Sequence, residues 1–267
     1  MQGSSQADPV GSEAEPRRYF FMHIPKTAGM TLYHRLIRCH GQALYPLPPD
    51  RGSVDAAMDI DHLARCFSTN RKQIRVIVGH FPLCIDEVLE VPLTTFTLLR
   101  NPVERTLSFL RKRTRRPEYR DVSIDDLYGE PYLLHGWIHN FMVKVLTMTV
   151  AEMRHGVASM VAYDEARLER AKEVLEQRIE IFGVQEDFDD FCRRLSSHLG
   201  WDLGDTTLVT NQTSPMGVSD ELRERIAHDS ALDMELYRFA RDLLDRRRSG
   251  VASTVNPAQA GVSDAGP

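Results

Sequence analysis

The chain has 267 residues, 42% hydrophobic and 27% charged, with a formal net charge of −5. That fits a soluble globular protein of one domain, with or without an appended helical subdomain, long enough to bury a full core without disulfides or metal. The net acidity argues against a general nucleic-acid coat, and Cys39, Cys66, Cys84 and Cys192, scattered with no CxxC pair, read as reduced thiols rather than a zinc site.

Residues 1–16, MQGSSQADPVGSEAEP, have no apolar signal-peptide region and read as a disordered tail rather than a leader or anchor. The body of the protein is expected over 17–247. Residues 248–267 are small, polar and broken by proline and glycine, which predicts a second disordered tail. No segment has the uninterrupted apolar length needed to span a bilayer.

The apolar run at 18–24 predicts a first strand, which runs into HIPKTAG at 23–29; residues 30–39, MTLYHRLIRC, follow with an apolar stripe at helical spacing. QIRVIVG at 73–79 predicts a second buried strand ending at Gly79-His80, and LTTFTLL at 93–99 a third ending at Arg100-Asn101-Pro102. A helix starts there, with Asn101 as N-cap, Pro102 at the first helical position and Glu104 where a capping box wants a carboxylate. The basic run RKRTRRPEYR at 111–120 comes next. Periodicity then predicts helix over 132–153, 163–178, 186–199 and 218–247, with a further strand over 179–184. Strands separated by helices imply parallel crossovers, and so an α/β fold. In such a sheet the strand ends at residues 24, 80 and 100 share one edge, where ligands bind.

The loop at 25–31 has the makings of an anion cradle. Its N–H groups open a helix, Gly29 allows close backbone approach, Thr27 and Thr31 offer hydroxyls, and Lys26 brings a mobile charge. An ordinary strand–turn–helix corner with a solvent-facing lysine has the same sequence pattern. In LLRNPVERTLSF, residues 98–109, the planar fork of Arg100 suits a phosphate, and Arg105 and Ser108 share a helix face. The plainer alternative pairs Arg105 with Glu104 or Glu118 at the surface.

Together the two segments resemble the phosphosulfate loop and the 3′-phosphate element of sulfotransferases that use 3′-phosphoadenosine 5′-phosphosulfate (PAPS). The resemblance is to the carbohydrate type, which includes heparan sulfate 2-O-sulfotransferase and soluble bacterial relatives. It continues through VGHFP at 78–82, FGVQEDFDDF at 182–191 and ALDMELYRFA at 231–240. It implies a P-loop-like three-layer sandwich, a central parallel sheet flanked by helices. It also implies a sulfotransferase that moves a sulfuryl group from PAPS to an acceptor hydroxyl on a carbohydrate or on a carrier-bound or small-molecule alcohol, releasing 3′,5′-adenosine bisphosphate (PAP) without a metal.

Carried onto this sequence, the resemblance places Pro25, Lys26, Thr27, Ala28, Gly29, Met30 and Thr31 around the 5′-phosphosulfate, and Arg100 and Ser108 on the 3′-phosphate. Met30 departs from the hydroxyl residue usual there. Lys26 would stabilise the leaving oxygen and His80 would act as base, while His23 is read as structural. TNQTSPMG at 210–217 matches the family's later cofactor loop only loosely. Trp137, His139 and Asn140 fall where the family has a cleft-facing helix, although a helix core uses Trp137 equally well. The spacing of His135 and His139 is helical but lacks a third metal ligand.

The basic run suits an anionic partner, an acidic polysaccharide or an acidic carrier protein, and no motif points to nucleic acid. A soluble, cytoplasmic, bacterial enzyme is expected. The alternatives are a kinase of P-loop type, against which stands the lack of a Walker A sequence and of an acidic strand end for Mg²⁺, and a non-catalytic nucleotide- or polyanion-binding protein.

Overall fold

The computed structural model describes residues 16–204 and 217–254. Strand β1 (Tyr19–Met22) is buried from its second residue on, which is why it reads as a continuous apolar run rather than an alternating one. From it the chain passes through α1 (Gly29–His40) to a two-residue strand, β2 (Leu44–Tyr45), then through α2 (Val54–Met58) and α3 (Ile60–Asn70) to β3 (Val76–Gly79). Helix α4 (Ile85–Leu89) leads to β4 (Thr94–Leu99) and α5 (Pro102–Arg113). Four more helices, α6 (Ile124–Tyr128), α7 (Pro131–Leu133), α8 (Phe141–Thr147) and α9 (Glu165–Gln177), precede β5 (Ile179–Val184). Beyond it lie α10 (Phe188–Leu199), α11 (Asp220–Asp229) and α12 (Ala231–Thr254).

Among the described residues the strands form one parallel sheet in the order β2-β3-β1-β4-β5. Strand β1 is central, and the winding reverses beside it, the place where open parallel sheets bind ligands beyond their carboxyl ends. Met22 stands opposite Gly79 on one side and Thr97 on the other, so the three chain segments that leave these strands do share one edge.

The pleat of β1 divides the core. Phe20 and Met22 join Ile77 and Phe182 in packing on α3, α5, α8, α9 and α12 through residues such as Phe67, Leu107, Val143, Leu175 and Leu243. Phe21 faces the other way, with Val78 and Phe96, onto α1 and α10 through Leu36 and Leu195. Each such fully buried side chain contributes about 1.5–3 kcal/mol, so burial on both faces of the sheet holds the layers together. The result is the expected α/β sandwich with helices on both sides of a central parallel sheet.

Several elements fill stretches where none was expected, and two expected helices are corrected. Strand β2 pairs with β3 through Leu44 and Tyr45 alone, too short for a period-two signal. Helices α2 and α3 fill a stretch without a predicted element; they are capped by Ser53 and Asp59, whose side chains accept from the N–H groups of Ala56 and His62. The long helix expected over 132–153 breaks into α7, a π-helical turn at Leu134–Ile138 and α8, because Asn140 takes a left-handed conformation (φ 46°). The helix expected over 218–247 is two helices that bend at the buried Ser230, and the second continues to Thr254, past the boundary at 247. Among the described residues no helix is long and apolar enough to cross a membrane.

Candidate functional site

The loop after β1 is built by its own backbone. His23 donates its N–H to the Gly79 carbonyl at 3.0 Å, which extends the β1–β3 pairing by one residue. The Thr97 hydroxyl donates to the Met22 carbonyl at 2.7 Å, and the fully buried Thr27 hydroxyl to the Ile24 carbonyl at 2.8 Å. The Thr27 side chain is therefore turned into the loop's own backbone. Lys26 (φ 74°) and Ala28 (φ 66°) both sit in the left-handed region despite carrying a Cβ. Such conformations cost about 1–3 kcal/mol each and persist only where the surroundings enforce them.

Ala28 caps α1 without a side-chain hydrogen bond, so the first-turn N–H groups lack a side-chain acceptor at the cap. Thr31 is half-buried and donates its N–H to the Ala28 carbonyl, whereas Met30, one residue earlier, is 42% exposed. Gly29 has a different role from the one its sequence suggests. A Cβ built there would lie 2.0 Å from Cδ2 of His23, so the glycine makes room for that ring.

Arg100, at the end of β4, donates from Nη1 to the Lys26 carbonyl at 3.0 Å and so ties the two candidate phosphate elements together. Its Nε is buried without a hydrogen-bond partner among the described residues. Asn101 caps α5 as expected, accepting from the N–H groups of Val103 and Glu104 at 3.0 and 3.3 Å. The Glu104 carboxylate, however, pairs with Arg223 at 2.8 Å. Ser108 is buried on the same helix, with no hydrogen bond to Arg100 among the described residues.

His80 lies directly beside the loop. Its Nδ1 is 2.5 Å from the His23 carbonyl oxygen, and the two imidazole centroids are 4.5 Å apart. A carbonyl can only accept, so Nδ1 carries the proton and Nε2 of the neutral ring keeps a lone pair. Burial lowers the pKa of His80; the His23 carbonyl opposes this, and the charge of Lys112 adds to it. His23 is pushed further down, by burial and then by His80, Lys112 and Lys26. Both rings are thus neutral at pH 7.

The field around the loop is positive. Burial, followed by Lys112, Arg100 and Arg115, lowers Lys26 to about 8. Lys112 is exposed in the last turn of α5, one turn beyond Ser108, and Arg115 is exposed in the turn that follows the helix. Among the described residues no carboxylate pairs with Lys26, Arg100, Lys112 or Arg115. A site with surplus cations and helix-start N–H groups that lack a side-chain cap suits an anionic ligand.

Other candidates fall elsewhere. Arg105 makes no surface pair: it is fully buried and donates from Nη2 to the carbonyls of Trp137 and Ile138 at 2.9 and 3.0 Å. Trp137 lies in the core between Phe109 and Phe141, and Asn140 Oδ1 accepts the Asp233 N–H at 3.1 Å. Of the three residues expected on a cleft-facing helix, only His139 stays partly open, against His135 and Tyr163. Most of TNQTSPMG, residues 210–216, lies outside the described residues.

Sequence reasoning named Arg105 but missed its burial beside Lys144 and Asp233. Lys144 donates to the Gly136, His135 and Ser159 carbonyls, and Asp233 accepts from the N–H groups of Met142 and Val143 at the start of α8. Burial pushes Asp233 up to about 6 and Lys144 down to about 7. Lys144, alone in the apolar stretch FMVKVL, was the signal in the sequence.

No protein-family model matches the chain, and no curated protein matches it. Among solved structures, a sulfotransferase from Alicyclobacillus acidocaldarius is 18% identical over 83% of this chain and 94% of its own, with a TM-score of 0.47. Mouse sulfotransferase SULT7A1, complexed with PAP, is 13% identical over 80% of this chain and 63% of its own, with a TM-score of 0.40.

Proposed function

We propose that this chain is a sulfotransferase that takes its sulfuryl group from PAPS and gives it to an acceptor hydroxyl. The observation that carries the reading is the single edge holding Lys26, Arg100 and His80. There a strained lysine loop is tied by an arginine and flanked by a neutral imidazole with its Nε2 free. Bound PAPS would supply an activated S–O bond to a good leaving phosphate.

The N–H groups at the start of α1 and the Lys26 ammonium would hold the phosphosulfate, with Arg100 and Ser108 on the 3′-phosphate. Pro25, Ala28 and Met30 complete the rim of the loop, with Thr27 fixing its shape and Thr31 in the first turn of α1. As the acceptor oxygen bonds to sulfur, the bridging S–O bond breaks and its electrons pass to the phosphate oxygen. Lys26 is the donor at that oxygen. The acceptor proton passes to Nε2 of His80, a step of the kind worth about 10²–10⁴-fold in rate. The acceptor is a carbohydrate or another alcohol, and the cations of residues 111–120 suit an acidic polysaccharide or an acidic carrier protein.

The test is transfer of radiolabelled sulfate from PAPS to a panel of acceptors in EDTA, with labelled ATP in parallel, with and without Mg²⁺. Sulfate transfer that persists in EDTA, with none of phosphate, is the expected result. Phosphoryl transfer that needs Mg²⁺ would favour the kinase, and tight PAP binding with no transfer to any acceptor the non-catalytic reading.

A further inference from the structure

We propose that His23 is the positioning residue of this site: its ring is the spacer that sets the distance between the Lys26 loop and His80, and its carbonyl selects the tautomer of His80. The assignment rests on the reading of His80 as base given above.

Three neighbours confine the ring. Phe21 stacks on it at 5.4 Å with planes 11° apart, and His80 lies across it at 4.5 Å. The first residue of α1 presses so close that only a glycine fits, a Cβ at Gly29 falling 2.0 and 2.1 Å from Cδ2 and Nε2. The backbone of His23 is held as tightly, its N–H bonded to the Gly79 carbonyl and its own carbonyl to Nδ1 of His80. One residue therefore touches β3, the start of α1 and the base at once. Any shift of its ring moves the N–H groups at the helix start relative to Nε2 of His80.

The charges that face the pair come from three directions: His23 and His80 from each other, Lys26 from the loop, and Lys112 from α5. All are cationic or neutral, and no carboxylate appears among these neighbours. A second proton on the pair is thus disfavoured, and His23 remains neutral when His80 accepts the acceptor's proton. It works as a wedge and has no part in moving the proton.

The experiment has two arms on the full chain. In the first, nitrogen-edited NMR of the histidine side chains follows the tautomer and titration of both rings with PAP as the probe ligand. The expected result is His80 protonated at Nδ1, and His23 neutral throughout the neutral range. An Nε2-protonated His80, or a His23 that titrates near neutrality, would overturn the proposal. This arm needs no turnover, so it stands even if no acceptor is found and the sulfotransferase reading fails.

The second arm compares His23→Ala with His23→Phe, each checked for folding by circular dichroism and for PAP affinity by calorimetry. Misplacing reacting groups by about 1 Å costs up to about 10²-fold. His23→Ala should therefore lower kcat by about 10–100-fold with PAP affinity within about twofold, and His23→Phe, which refills the space, should restore most of kcat. If PAP affinity falls in step with kcat, His23 merely supports the loop. If His23→Phe is as slow as His23→Ala, the imidazole has chemistry of its own. Either result refutes the wedge.

Discussion

Gly29→Ala sets two forces against each other beneath the lysine loop. Gly29 opens α1, so alanine suits its backbone, and helix propensity alone would favour the change by at most about 1 kcal/mol. The new Cβ, however, would lie 2.0 Å from Cδ2, 2.1 Å from Nε2 and 2.8 Å from Cγ of His23. Unbonded carbons rest about 3.5–4.0 Å apart, so the ring would have to retreat by about 1.5 Å. Phe21 and His80 block that retreat at centroid distances of 5.4 and 4.5 Å. Overpacking of this kind costs about 1–3 kcal/mol, which leaves a net loss of up to about 2 kcal/mol after the full propensity gain.

Urea unfolding followed by circular dichroism reads this as a lower midpoint at unchanged slope. In a His23→Ala background the obstacle is gone, and the same substitution should be neutral or stabilising, with a coupling of about 1–3 kcal/mol between the two sites. A Gly29→Ala protein more stable than the wild type, or one equally destabilised in both backgrounds, would show that the ring is not confined.

Lys26→Met should lower kcat by about 10²–10³-fold through loss of the proposed donor at the leaving oxygen. Because Lys26 sits at about 8 before binding and an anion favours its charged form, PAP affinity should weaken as pH rises through 8, with uptake of protons visible by calorimetry in two buffers. A flat pH profile would remove Lys26 from the anion site. His80→Ala should lower kcat by about 10²–10⁴-fold while PAP binding survives. The wild-type kcat/KM should fall with acid only below the ordinary histidine value of 6.5, since His80 must be neutral to act and its surroundings lower its pKa; an acid limb centred above pH 7 would point to another base. Arg105→Met should cost about 3–5 kcal/mol in urea, because it strips a buried charge from the Trp137 and Ile138 carbonyls and from the field of Asp233. Glu104→Ala, which breaks only a part-exposed pair with Arg223, should cost less than about 1 kcal/mol.

The frame of the sheet was legible because β1, β3, β4 and β5 are β-branched or aromatic runs long enough to be read without neighbours. The Asn101-Pro102 start of α5 was equally plain, since its chemistry is local. Helix α3 carried a readable signal in Ile60, Leu63, Ala64 and Phe67 behind the cap of Asp59. Its charged outward residues hid that stripe. The break at Asn140 was not legible, because a distant partner decides it: Asn140 is held by the N–H of Asp233, 93 residues away. The site divides in the same manner. Lys26, His80 and Arg100 follow strands, so topology alone brings them to one edge. The turned-in hydroxyl of Thr27, the space kept by Gly29 and the burial of Arg105 depend on which atoms the folded chain brings alongside, and residue spacing does not encode that.

On the proposed reading, the hydrogen bond from Arg100 to the Lys26 carbonyl would let one guanidinium serve both ends of the cosubstrate. Its Nη1 shapes the loop that would grip the sulfated end, and the rest of the fork would turn to the nucleotide's other phosphate. A nucleotide cut short at that phosphate would therefore leave the arginine half-employed and the loop less firmly set. Discrimination between the two nucleotides would then show in the speed of transfer as well as in the strength of binding.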